Sequence, residues 1–325
     1  MGVRYAISEM KVSVCLPSYN YAYFLGEAIA SVLAQTYGDF ELIIVDDAST
    51  DGSEEVIHGF SDRRVRFFRN EVNSGAIRTW NRCLSLVRGE YICFLCADDL
   101  FLPRKLEAQT VLLDRYPDAC LAHSDGFSID AAGERESLFR SRFPGELQSY
   151  LAMSHINPGR EEFKRLLAGY NYIHLSSAMF RRRCWQEAGN FDERFPYAAD
   201  WDFWLRLVLL GDVAYMPESL FCVRWHGENL TAEMKRSGQA YADWYGVVRA
   251  AGKLWPGPQE EIAPARREAL QVIRDHILPD IHEDYAKGRM AQARRKIRLA
   301  FRNDPSLLRH WPTLYAYFKS FLGKR

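Results

Sequence analysis

From Lys11 to about residue 105 the apolar positions switch repeatedly between two spacings. Val12, Val14 and Leu16 recur at every second position, and the run stops at Pro17, which predicts a strand. Ala28, Ile29, Val32 and Leu33 fall at helical spacing within Leu25–Thr36. Phe40–Val45 is apolar apart from Glu41 and ends in Asp46-Asp47. Val65–Phe68 predicts a short strand, Gly75–Val87 a helix, and Tyr91–Leu95 a buried strand that runs out near Asp98-Asp99. Strands alternating with helices predict an α/β fold: a Rossmann-like, mainly parallel sheet flanked by helices. Ligands of such sheets bind beyond the carboxyl ends of the strands. Three successive strands end in polar clusters, Pro17-Ser18-Tyr19-Asn20, Asp46-Asp47-Ala48-Ser49 and Ala97-Asp98-Asp99, which should converge on one rim.

Further on, Asp130–Pro158 has little periodicity and is expected to be a long loop or an insertion. Helices are expected at Glu161–Leu167, Arg182–Ala188 and Asp200–Leu210. Tyr172–Phe180 reads as extended, with short strands near Val213–Tyr215 and Leu220–Trp225. Beyond Thr231 the pattern is helical, broken at Gly252–Pro258, Pro279 and Pro305. These signals suggest one α/β domain over 1–232, in two halves at about 11–105 and about 106–232. A helical C-terminal region, 233–325, follows.

A chain of 325 residues can hold one such domain and an appended piece. Lys+Arg and Asp+Glu balance at 42 each, so the overall charge points to no nucleic acid partner. The balance is uneven along the chain. Residues 285–325 carry eleven Lys/Arg against one acid, Asp304. Gly288–Arg302 reads as a cationic amphipathic helix, followed by Leu307–Leu322, rich in Leu, Tyr, Phe and Trp. This tail is either a helical hairpin packed on the protein or a peripheral anchor on anionic membrane. Seven cysteines, an odd number lying mostly in apolar runs, fit buried residues in a reducing compartment. No stretch approaches the roughly 20 apolar residues of a membrane span, and Met1–Met10 has no apolar signal segment. A cytoplasmic protein is expected, with the tail offering contact to the inner face of the membrane.

Asp98 and Asp99 follow a buried strand, where hard oxygen ligands suit Mg²⁺ or Mn²⁺ held between protein and pyrophosphate. Asp200 stands where a helix starts, as its cap or as a general base. A helix N-terminus would lower its pKa. Trp201, Trp204, Leu205 and Val208 share one helical face and read as core. No G-x-G-x-x-G follows the first strand, which argues against a dehydrogenase. Pro17-Ser18-Tyr19-Asn20 is no Gly-rich phosphate loop, which argues against a nucleotidyltransferase.

Val12-Ser13-Val14-Cys15-Leu16-Pro17-Ser18-Tyr19-Asn20, Ala30–Tyr37 and Glu41–Ser53 together resemble the nucleotide-binding half of family-2 inverting glycosyltransferases of the GT-A fold. The similarity continues through Asn73-Ser74-Gly75 and Asn81 to Asp98-Asp99, and more weakly to about residue 230. It implies a metal-dependent hexosyltransferase using Mn²⁺ or Mg²⁺, a UDP- or dTDP-sugar donor, and a glycan or lipid-linked acceptor in surface polysaccharide synthesis. A non-catalytic nucleotide-sugar or glycan binder on the same fold is the alternative. By the resemblance Pro17, Tyr19, Asn20 and Ala97 line the donor site, with Tyr19 on the base. Asp47 accepts the base N3–H, Asp98 holds the ribose and Asp99 ligates the metal. Many relatives carry Arg before the Asn matched by Asn81; this chain has Trp80, and Arg78 nearby is the candidate for a base or phosphate contact. The family's Glu-Asp catalytic pair falls on Ala199-Asp200, which leaves Asp200 as the base and Asp202 in reserve. His226 matches a metal or diphosphate ligand, Arg224 lies beside it, and His174 falls where relatives place the acceptor or sugar.

Overall fold

The computed structural model describes residues 10–168, 171–226, 234–235, 237–305 and 307. These divide into two compact units, one of 10–162, 172–193 and 206–226, the other of 163–171, 194–205 and 227 onward.

The first unit is built on a mixed sheet. Strands β1 (Val12–Ser18), β2 (Phe40–Asp46), β3 (Val65–Arg69) and β4 (Tyr91–Phe94) are parallel to one another in the order β3-β2-β1-β4. Three helices connect them: α1 (Ala22–Leu33), α2 (Ser53–His58) and α3 (Ala76–Leu86). α1 buries Leu25, Ala28, Ile29 and Val32, the stripe its spacing predicts. Leu25, Ile29 and Val32 each contribute about 1.5–3 kcal/mol by leaving water. Glu41, the one acid in the apolar run of β2, is buried yet satisfied: it accepts from Ser13 Oγ (2.6 Å) and Arg88 N (2.8 Å) and pairs with Arg66. Gly89 sits where a Cβ would come within 2.6 Å of Ser13 N, so the chain entering β4 needs glycine there.

Beyond β4 comes the antiparallel β9 (Met179–Arg181), then a second parallel pair, β6 (Ala119–Ile129) and β10 (Asp212–Arg224). Short antiparallel strands flank that pair: β5 (Leu100–Phe101) and β8 (His155–Asn157) on β10, and β7 (Arg135–Leu138) on β6. α4 (Lys105–Arg115) and α7 (Arg182–Ala188) complete the regular frame.

Three expectations need correction. Residues 130–158 are not an unstructured loop: they hold β7, a 3₁₀ turn (Phe139–Arg142), α5 (Gly145–Tyr150) and β8. Their short elements are too brief to show a period. The two strands expected at 213–215 and 220–225 are one, β10, whose register against β6 slips between Met216 and Ser219, around Pro217-Glu218. Pro279 ends no helix.

It lies inside α10 (Ala263–Ala286) of the second unit, where Ile273, Ile277 and Ile281 are buried on both sides of it. This unit also contains α9 (Gln239–Leu254) and α11 (Met290–Asn303). α6 (Gly159–Leu167) and α8 (Ala199–Leu207) are the remaining helices of the described chain, and a 3₁₀ turn (Val208–Leu210) extends α8 over the span expected to Leu210. Trp201, Trp204 and Leu205 are buried, as their shared face predicts. In the basic tail, α11 buries Ala293, Ile297 and Ala300. Its Lys296 pairs with Asp284 at 2.9 Å, and Arg289 with Asp284 at 2.7 Å. The apolar face of this amphipathic helix is therefore occupied within the protein. Of Leu307–Leu322 only Leu307 lies within the described residues, and Gly227-Glu228-Asn229 lie outside them. Among the described residues no helix is long and apolar enough to cross a membrane.

Candidate active site

The register of the parallel strands sets their carboxyl ends side by side: Ser18 lies opposite Asp46, and Cys15 opposite Phe94. Hydrogen bonds then lock the loops leaving β1 and β2 together. Asp47 N donates to Ser18 O (2.8 Å), Asn20 N to Ser49 Oγ (2.9 Å) and Thr50 N to Asn20 Oδ1 (2.8 Å). Asn20 and Ala48 both take positive φ, 56° and 62°. An asparagine reaches this region with modest strain, and Ala48 is held there by the surrounding bonds. Tyr19 projects from this turn 42% exposed, while Pro17 is half-buried.

Asp47 is 2% exposed, and its carboxylate is the hub of the next loop. Oδ1 accepts from Ser74 N (2.9 Å), Ser74 Oγ (2.8 Å) and Asn70 Nδ2, and Oδ2 accepts from Gly75 N (2.8 Å). Burial pushes its pKa up, but these bonds outweigh it and hold the group below the usual carboxylate value. One lone pair on Oδ2 is left over.

The segment after β4 carries the second cluster. One donor atom each from Cys96, Asp98 and Asp99 lie within 4.8 Å of one another. Ala97, between them, is buried. Asp99 is almost fully enclosed: Ser176 Oγ donates to Oδ2 (2.6 Å) and Arg224 N to Oδ1 (3.0 Å). Asp98 meets His226 Nε2 at 3.2 Å. Burial pushes Asp98 to about 6, helped by the Asp99 charge and opposed by His226; burial also pushes Asp99 to about 6. Two adjacent buried carboxylates beside a thiol and an imidazole form a donor set that fits a divalent cation.

Other candidates are placed differently. Arg224 is buried, with its guanidinium given to protein acceptors: Asp98 O (2.9 Å), Ala131 O (3.1 Å) and Glu27 Oε2 (2.6 Å), over the ring of Phe24. It braces the carboxylate segment. His226 packs on Phe24 with ring centroids 4.9 Å apart. His174 stacks on Phe221, its Nδ1 accepts from Ser176 N (3.2 Å), and burial lowers its pKa to about 4, so it is neutral near pH 7. Arg78 is exposed and pairs with Glu193 at 2.8 Å. Trp80, in the place of the family's arginine, packs with Phe94 and Phe191. Asn81 clamps the Phe191 backbone at both N and O, each at 3.0 Å.

Asp200 belongs to the second unit, in the first turn of α8, after Ala199. Oδ1 accepts from Trp201 N (2.8 Å) and Oδ2 from Asn171 Nδ2 (2.9 Å). Its pKa is not lowered as the helix terminus suggested: burial pushes it up to about 6, past what these two bonds recover. Asp202 is buried, one residue beyond Trp201. Three participants escaped the sequence reading. Cys96 was grouped with the buried cysteines. Ser176 stands two residues from His174 but carries no motif. Lys105 is fully buried, donating to Ser177 O (3.0 Å) beneath the turn that carries Ser176. No pattern in the sequence marks it.

The model of "Glycosyl transferase family 2" matches residues 13–186, more than half of the chain. An "Uncharacterized glycosyltransferase" of Rickettsia felis is 30% identical over 219 residues, covering 67% of this chain; the chain spans about a third of that relative, 34% of its length. Among solved structures, S. aureus TarS 1-349 in complex with UDP-GlcNAc is similar with a TM-score of 0.67 at 17% identity, covering 96% of this chain and 89% of that one. The mannosyltransferase PcManGT from Pyrobaculum calidifontis, in complex with GDP-Man and Mn²⁺, gives 0.58 at 16% identity, over 95% and 85%. These likenesses bear out the mixed α/β sheet of GT-A type with its helical C-terminal region. With its own motifs matched across 13–186, the chain belongs to glycosyltransferase family 2.

Proposed function

We propose that this glycosyltransferase moves a sugar from a UDP- or dTDP-sugar to a hydroxyl of a glycan or lipid-linked acceptor, with inversion, in surface polysaccharide assembly. The observation that carries the reading is the loop cradle of Asp47 beside the strand ends, together with the Cys96-Asp98-Asp99 donor set. Tyr19, exposed at the rim, stacks on the base. The free lone pair of Asp47 Oδ2 accepts the N3–H of uracil or thymine. Asp98 takes the ribose, and Asp99 with His226 holds Mn²⁺ or Mg²⁺. The cation supplies Lewis-acid stabilisation of the leaving diphosphate. Asp200 accepts the proton of the acceptor hydroxyl as its oxygen bonds to the anomeric carbon and the bond to the diphosphate oxygen breaks. A half-buried carboxylate near pKa 6 is a stronger base than an ordinary aspartate and still ionised at pH 7. Uridine and guanosine donors both occur among the similar structures, so the base preference rests on Asp47. Contact of residues 285–325 with anionic membrane rests on their charge alone.

Thermal shift in the presence of Mn²⁺, with UDP-, dTDP- and GDP-sugars, tests the donor. Stabilisation by the first two is expected; a clear preference for GDP-sugars refutes the Asp47 role.

A further inference from the structure

We propose that Cys96 is a third protein ligand of the cation and turns the site away from Mg²⁺ towards softer d-block ions such as Zn²⁺ and Co²⁺. This rests on the metal-dependent reading above. The Cys96 sulfur and one oxygen each of Asp98 and Asp99 lie within 4.8 Å of one another. Ligand atoms on one tetrahedral ion, with bonds of about 2.0–2.3 Å, stand roughly 3.3–3.8 Å apart. Closing by roughly 1 Å lets Cys96 join Asp99 on one ion, with Asp98 beside them. Cys96 already hydrogen-bonds the Asp99 carboxylate. Ser176 Oγ fixes both partners at once, accepting from Cys96 N (3.1 Å) and donating to Asp99 Oδ2 (2.6 Å). Of the seven cysteines, the other six are buried, and Cys96 alone is partly open. His226 Nε2, at 3.2 Å from Asp98 Oδ2, adds a nitrogen beside the set.

Sulfur, oxygen and nitrogen together are a poor cage for Mg²⁺, which takes oxygen ligands and keeps its waters. Thiolate and imidazole suit zinc-like ions. As the metal–sulfur bond forms, the thiol proton leaves to solvent and no electrons change hands.

The full chain is titrated with Co²⁺ and Cd²⁺ while the thiolate-to-metal charge-transfer absorption is recorded, with Mn²⁺ binding followed by electron paramagnetic resonance. The wild type should show the band, and Cys96→Ser should lose it. Zn²⁺ affinity of Cys96→Ser should fall by about 10–100-fold, as when a metal's ligand surroundings are disturbed. Cys96→Asp should invert the preference towards Mg²⁺. Thermal melting of each variant controls for folding, and protection of wild-type Cys96 from iodoacetamide by Zn²⁺ reads the same contact without mutation. A band that survives in Cys96→Ser overturns the proposal. Mn²⁺ binding without any charge-transfer band in the wild type overturns it too, leaving the metal site standing. Failure to bind any divalent ion removes the metal-dependent reading and this inference with it.

Discussion

Asp47→Asn separates an anchoring role from a ligand-binding one. The carboxylate accepts four hydrogen bonds from Asn70, Ser74 and Gly75. An amide can keep its oxygen towards Ser74 and Asn70 only by turning its NH₂ onto Gly75 N–H. One charge-assisted bond is then lost, a buried donor faces another donor, and the remaining bonds lose the charge that strengthens them. The expected loss is about 2–4 kcal/mol. Urea unfolding of ligand-free protein at pH 7 measures it, and hydrogen exchange at Ser74 and Gly75 localises it. The pKa of Asp47 is depressed in the folded state, so its stabilisation is present above the unfolded value near 3.8 and is lost as pH falls through the lower folded value. The gap between wild type and variant should accordingly narrow below about pH 4. Equal stability of the two proteins, with slow exchange at Gly75 retained, would refute the reasoning even if donor affinity fell.

Asp200→Asn should abolish transfer with donor affinity nearly unchanged. In the wild type kcat should fall as pH drops through about 6, where Asp200 takes up its proton; a kcat flat down to pH 5 rules out Asp200 as base. Because the folded pKa of Asp200 is raised, its contribution to stability is full below the unfolded value and lost as pH rises through about 6, so Asp200→Asn should flatten that part of a melting-temperature profile. Asn81→Ala removes both bonds to Phe191 and should destabilise the chain by about 1–3 kcal/mol in urea unfolding. Gly159→Ala would put a Cβ 1.8 Å from Val208 O, and a loss of about 3 kcal/mol or failure to fold is expected; a wild-type melting temperature contradicts the packing described. Deleting 285–325 removes Ala293, Ile297 and Ala300 from their buried positions and should lower the melting temperature, whatever it does to sedimentation with anionic vesicles.

The parallel half of the sheet could be read from the chain because its strands are buried on both sides and its helices carry a full apolar stripe; α1, β2 and α3 lie within a few residues of their expected bounds. The clusters after β1, β2 and β4 were readable for the same reason, since polar residues closing apolar runs stand out. What escaped depends on partners far along the chain. Nothing near Arg224 announces Glu27 or Ala131, and Cys96 looks like its buried neighbours until the chain turns after Phe94. A proline in α10 reads as a break when the buried isoleucines around it are unknown. The shift of Asp200 arises from enclosure, which a helix-terminus argument does not include.

β9 joins the all-parallel half to the β6–β10 pair through only three residues, Met179–Arg181. The stretch leading into it, with His174 and Ser176, stands against Asp99 without belonging to any parallel strand. Mutations there can remodel the wall next to the carboxylates while the ladder of β1, β2 and β4 stays intact. Substitutions in 172–178 should therefore change the surroundings of Asp99 at little cost to the packing of 12–46.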